Sequence, residues 1–151
     1  MSRSFFWRML HNVLPCQERL CRTSRQVQSP NCVLCPNNEA DNIRIHTFSN
    51  CSHSKPAMDW ILEVINFMDP AATAEKVVTL QIFPLDTNHL IECLWMIGES
   101  LQYVWARRKA KLPVDMVRMK AEIRAKCSIY SKSKRYGGHG QNLSFYLDQA
   151  A

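Results

Sequence analysis

Apolar side chains in FFWRMLHNVL fall at Phe5, Met9 and Val13 and again at Phe6, Leu10 and Leu14, two rows with the spacing of a helix face. Pro15 ends that helix and suits the first position of a second, PCQERLCRTS, where its missing N–H has no helical partner to lose. From Ser24 to about Asn42 the apolar period gives way to Ser, Pro and Asn, which predicts a loop held by something other than a core. SHSKPAMDWILEVINFMD then places Met58, Ile61, Leu62, Ile65 and Met68 on one face, with Ser54 or Pro56 marking the start. DPAATAEK is a connector, and VVTLQIF fits either a strand or a helical turn. The longest helical pattern runs from Asn88 to about Lys111, with Leu90, Leu94, Ile97, Leu101 and Val104 in one row and Ile91, Trp95 and Trp105 beside it. Pro113 opens a further helix carrying Met116, Met119, Ile123, Cys127 and Tyr130, expected to pack on the one before. The remainder, from 132 on, holds three of the four glycines and reads as a flexible tail.

A chain of 151 residues is about one domain long, and a compact fold of that size buries roughly 70% of the surface its unfolded chain exposes. Its 46% hydrophobic and 21% charged content is that of a globular protein rather than a disordered one. No stretch reads as a membrane span or leader: Arg8 and His11 interrupt the apolar N-terminus, and Glu92 and Glu99 interrupt the longest apolar run. Seven cysteines would leave one unpaired in an oxidising compartment, so the expectation is a nuclear or cytoplasmic protein, not a secreted one. Charge is segregated. Residues 1 to 31 hold five arginines and one acid, residues 32 to 100 three bases and nine acids, and residues 101 to 151 eleven bases and three acids. Basic ends around an acidic middle are the footprint expected of a polyanion partner, although a basic helix face is often merely solvated.

The loop carries the chemistry. Cys32, Cys35, His46 and Cys51 are spaced Cys-x2-Cys-x10-His-x4-Cys, three sulfurs and one imidazole, the count that closes a tetrahedral structural zinc site. Two intervening residues let Cys32 and Cys35 reach one ion from a tight turn, and Pro36-Asn37-Asn38 suits a reversal. His46 and Cys51 lie five apart, about 500° around an α-helix, so the helix or turn holding His46 should end before Cys51. His53 is an alternative to His46. Four protein ligands leave no open position, so one structural zinc would fold the loop without activating water. Such an ion is worth about 10 to 16 kcal/mol in finger peptides, and residues 24 to 53 should be disordered without it.

Other candidates are weaker. Cys16, Cys21 and His11 are separated by five residues each and spread around a helix, which favours buried or free thiols. Cys93 and Cys127 fall in helical patterns and read as core; His89 and His139 imply no partner. Gly137-Gly138-His139-Gly140 lacks the Lys-Ser/Thr of a phosphate loop. No catalytic constellation, polymerase or endonuclease, emerges, and no small-molecule substrate or membrane is implied.

Taken together, FFWRMLHNVLPCQERL, SPNCVLC, HTFSNC and LWMIGESLQYVWARRKA resemble the zinc-binding domain that follows the polymerase in non-LTR (LINE-like) retrotransposon reverse transcriptases. Trp7, Leu10, His11, Leu14 and Pro15 match that family's Trp-x-x-Leu-His-x-x-Leu-Pro segment, and Cys32, Cys35, His46, Cys51 and Trp60 follow its order of ligands and tryptophan. The motifs cover about residues 5 to 65. Two departures stand out: Pro56 falls where the family often continues a helix, and the chain starts at the zinc domain, which suggests a fragment, a truncated copy or a stand-alone derivative. The expected fold is mainly α, a small helical domain with a zinc-stabilised CCHC loop, organised as a zinc-binding domain (1–70), a helical extension packed on it (71–131) and a flexible tail (132–151).

The resemblance implies a non-catalytic module that holds RNA or DNA, beside a reverse transcriptase polymerase domain as partner. The candidate phosphate contacts are Arg19, Arg22 and Arg25 near the loop, Arg107, Arg108, Lys109 and Lys111, and Arg118, Lys120, Arg124 and Lys126, the last four at intervals that do not make one stripe. The rival reading is a truncated or domesticated helical module that binds proteins through a Met- and Trp-rich face, although Trp7, Trp60, Trp95 and Trp105 belong more often to a core.

Overall fold

The computed structural model describes residues 3–35, 39–82, 84, 87–132 and 141–150. In chain order these form α1 (Arg3–Leu10), α2 (Gln17–Thr23), a π-helix (Ile43–Asn50), α3 (Lys55–Asn66), α4 (Ala74–Thr79), α5 (Thr87–Lys109), α6 (Met116–Lys132) and α7 (Gln141–Gln149). Among the described residues there is no strand, only an isolated antiparallel bridge between Asn31 and Ala40. The fold is thus mainly helical, and no helix among the described residues is long and apolar enough to cross a membrane.

Local chemistry sets the helix boundaries. Pro15 stands outside α2, because the first free N–H groups of that helix find their acceptors across the fold: Gln17 N donates to Asp41 Oδ2 at 3.1 Å and Glu18 N to the Asp41 carbonyl at 3.3 Å. Pro56 is absorbed in the first turn of α3, where a missing N–H costs nothing. Of VVTLQIF, Val77–Thr79 are the end of a helix, Leu80 to Ile82 lie beyond it and Phe83 is outside the described residues. Val77 and Val78 are buried in α4, whose start is capped by the Thr73 hydroxyl accepting from Lys76 N at 3.3 Å. Asp115, rather than Pro113, opens α6 by accepting from Arg118 N at 3.0 Å.

Three helices stop on a left-handed residue, Asn12 (φ 53°), Leu80 (φ 56°) and Lys111 (φ 55°). Each shows the same paired bonds. Asn12 N reaches Met9 O and Val13 N reaches Arg8 O; Leu80 N reaches Val77 O and Gln81 N reaches Lys76 O; Lys111 N reaches Arg108 O and Leu112 N reaches Arg107 O. This is the Schellman closure, made without glycine.

One apolar core runs from Phe5 and Met9 of α1, through Met58, Ile61 and Ile65 of α3 and Ile97, Leu101 and Val104 of α5, to Met119, Ile123 and Cys127 of α6. As the periodicity predicts, α5 and α6 pack together. The flexible tail from 132 requires correction. Lys132 ends α6, and Gln141–Gln149 form α7, which buries Leu143 and Leu147. Trp60 Nε1 donates to the Ala150 carbonyl at 3.2 Å, and Arg124 donates to the Leu147 carbonyl at 2.8 Å. Residues 133–140, with His139 and the glycines, lie outside the described residues.

Candidate metal centre

Cys32 and Cys35 sit on a short knuckle closed by its own backbone: Cys32 N donates to Glu39 O at 2.8 Å and Asp41 N to Pro30 O at 2.9 Å. Within it, Leu34 N donates to Cys32 Sγ at 3.4 Å. The reversal expected at Pro36-Asn37-Asn38 lies outside the described residues.

The π-helix delivers the other two ligands. Its bonds include Thr47 N to Asn42 O at 2.7 Å and Cys51 N to His46 O at 2.9 Å, both spanning five residues. That wider turn brings residues five apart nearly above one another. The incompatibility expected for an α-helix therefore disappears, and Cys51, just past the end at Asn50, lies on the His46 side.

Cys32, Cys35, His46 and Cys51 are all buried, and their ligand atoms lie within 4.8 Å of one another. Cys32 Sγ is 3.8 Å from Cys51 Sγ, and Cys35 Sγ is 3.3 Å from His46 Nε2. The cluster could hold a metal ion. His53, the alternative ligand, does not join it.

A second set of groups surrounds these four. His46 Nδ1 meets Glu39 Oε2 at 2.8 Å; with a proton on Nδ1 donated to that carboxylate, Nε2 keeps its lone pair for a metal. Arg108, only 8% exposed, extends into the cluster from α5. Its Nη1 donates to Cys51 Sγ at 3.1 Å and Ser54 Oγ at 3.3 Å, and its Nη2 to Asp41 Oδ1 at 2.6 Å and Cys32 Sγ at 3.5 Å. Burial pushes the Cys32 thiol up, but the Leu34 N–H, the Arg108 guanidinium and His46 outweigh it and bring it down to about 6. The buried thiols outside the cluster behave oppositely: burial raises Cys16, pushes Cys93 up to about 12 and Cys127 up to about 11.

The expected phosphate contacts scatter. Arg108 is corrected outright, since it is buried among thiols and Asp41 instead of facing solvent. Arg124 is half-buried and caps α7, and Lys126 pairs with Glu99 at 2.7 Å. Arg22 pairs with Glu18, and Arg118 with Glu122 at 2.8 Å. Arg19 reaches the Asn12 carbonyl at 3.4 Å, Arg107 the Pro113 carbonyl at 3.0 Å, and Lys120 lies 5.7 Å from the Trp60 ring centroid. Arg25, Lys109 and Lys111 are exposed. Lys109 and Lys111 line a cavity of about 270 Å³ together with Leu20, Leu34 and Trp105, directly beside the metal loop.

Glu39, Asp41 and the inward role of Arg108 were missed by the sequence reading. For Arg108 a signal existed: it continues the buried row Ile97, Leu101, Val104 by one more step of four. Compared with known proteins, the chain matches no family model, no curated protein and no solved structure.

Proposed function

We propose that this chain is a structural zinc module that holds RNA or DNA by its phosphates and carries out no chemistry of its own, as the zinc-binding domain of a retrotransposon reverse transcriptase would. The observation that carries the metal part is the buried Cys32, Cys35, His46 and Cys51 cluster. Zinc at about 2.3 Å from sulfur and 2.0 to 2.1 Å from nitrogen makes tetrahedral edges of about 3.8 Å between sulfurs and 3.5 Å between sulfur and nitrogen. The separations of 3.8 Å and 3.3 Å fit that frame, and Glu39 supplies the carboxylate that usually orients a ligating histidine. The net charge of +6 and the exposed Lys109 and Lys111 beside the loop support a polyanion partner.

Elemental analysis of the reduced protein tests the metal. One zinc per chain is expected, lost in Cys35→Ser; a folded wild-type protein without stoichiometric metal overturns the reading. Binding to single-stranded RNA and to duplex DNA across a salt series tests the partner. Each single-strand phosphate contact contributes about −0.7 to the slope of log affinity against log salt, so replacing Lys109 and Lys111 together by alanine should flatten the RNA slope by roughly 1.4. An unchanged slope would remove these two lysines from the interface. Exposed Trp7, Val117, Ile129 and Phe145 favour a second reading, docking on a protein, which predicts binding that salt barely affects.

A further inference from the structure

We propose that Arg108 is an outer-sphere residue of the metal centre, donating hydrogen bonds to two of its sulfurs and fastening the end of α5 to the metal loop. The inference rests on the metal reading and assigns a role to a residue that supplies no ligand atom. Three thiolates bring more negative charge than a divalent ion offsets, and the excess is buried with the cluster. Buried charge on sulfur is costly unless it is hydrogen-bonded, so it requires donors. Arg108 supplies them: one guanidinium spans Cys51 Sγ at 3.1 Å and Cys32 Sγ at 3.5 Å, residues 57 and 76 positions away in sequence, while its ion pair with Asp41 Oδ1 at 2.6 Å fixes its orientation.

Geometry requires arginine rather than any cation. The flat fork presents donors in different directions at once, whereas a lysine ammonium is a point charge on a flexible stem. The contact also couples distant parts of the chain. Arg108 lies one residue before Lys109 in the last turn of α5, so holding the guanidinium on the cluster holds the wall of the cavity that contains Trp105, Lys109 and Lys111.

Cobalt(II) is the probe, because its sulfur charge-transfer band reports electron density at the thiolates. Arg108→Met removes charge and fork together; Arg108→Lys keeps the charge and most of the volume. Arg108→Met is expected to weaken cobalt binding about 10- to 100-fold, the usual loss for an outer-shell partner. Arg108→Lys is expected to move the band to lower energy, since thiolates relieved of N–H donors hold their electrons less tightly. If Arg108→Met does not fold, the band of Arg108→Lys decides. A second readout is amide deuterium exchange over 105–111 in the wild type, which should speed up when the ion is chelated. Wild-type affinity in the folded variants with an unmoved band overturns the role of Arg108 alone, as does exchange over 105–111 that ignores the ion. A wild-type chain that takes up no cobalt overturns both this role and the metal reading.

Discussion

Asp41 gathers donors from three elements: the first two N–H groups of α2, the Thr47 hydroxyl of the π-helix at 2.9 Å, and Arg108 of α5 at 2.6 Å. Both members of the Asp41–Arg108 pair are nearly inaccessible, so removing the carboxylate breaks a buried ion pair, takes the acceptor from Gln17 N and Thr47 Oγ1, and leaves the guanidinium only its contacts to Ser54 and the two sulfurs. Asp41→Ala should therefore cost about 3 to 5 kcal/mol, measured by urea unfolding of the purified protein beside wild type. A loss below about 1 kcal/mol would mean that the pair behaves as an exposed one. Asp41 was not legible in the sequence, for its partners lie up to 67 positions away and an acid in a polar loop carries no local signal. The clustering of Cys32, Cys35, His46 and Cys51 was legible because residue type and spacing are themselves the constraint a bound ion would impose.

At the scale of elements, long apolar periods read correctly and short or unusual geometry did not. The faces of α3, α6 and the second half of α5 follow from repeated steps of three and four, and burial of Met58, Ile61, Ile65, Ile97, Leu101, Val104, Met119 and Ile123 agrees with them, whereas in the first half of α5 Leu90 and Leu94 are half-buried, Ile91 is exposed and Cys93 and Met96 are buried instead. The π-helix has no such pattern. An α-helical ruler places His46 and Cys51 on different faces, and only the i→i+5 bonds reconcile them. Helix ends were harder still, because glycine marks none of the three left-handed closures. Lys111 carries the cost of φ 55° on an exposed side chain, where little packing confuses the comparison. Lys111→Gly should be more stable than Lys111→Ala by roughly 1 kcal/mol, the steric cost of a Cβ in that region. Thermal unfolding of the two variants measures it, and equal midpoints would show that the loop relaxes out of the left-handed conformation.

For the molecule as a whole, α7 closes the core against α3, α5 and α6. It escaped the sequence reading because Leu143 and Leu147 are a single i, i+4 pair set behind glycines, too short a repeat to outweigh the tail composition. The packing of α5 on α6 carries its own electrostatic signature at Glu99 and Lys126, 2.7 Å apart. Burial raises the Glu99 carboxyl, but the Lys126 ammonium, together with the chain's N-terminal ammonium, more than reverses this and leaves it below its ordinary value. The folded protein then binds this proton less readily than the unfolded chain. The resulting stability is complete above the ordinary glutamate range near pH 4.3 and is lost as pH falls through the lower folded value. Lys126→Met removes the pair, and because every other acid-sensitive group is common to both proteins, the comparison between them isolates this contact. The urea midpoint of wild type should exceed that of Lys126→Met at neutral pH, with the gap narrowing once pH drops below about 4. A gap that stays constant into acid would mean that Lys126 stabilises the α5–α6 contact through its methylene stem, with the charge contributing nothing.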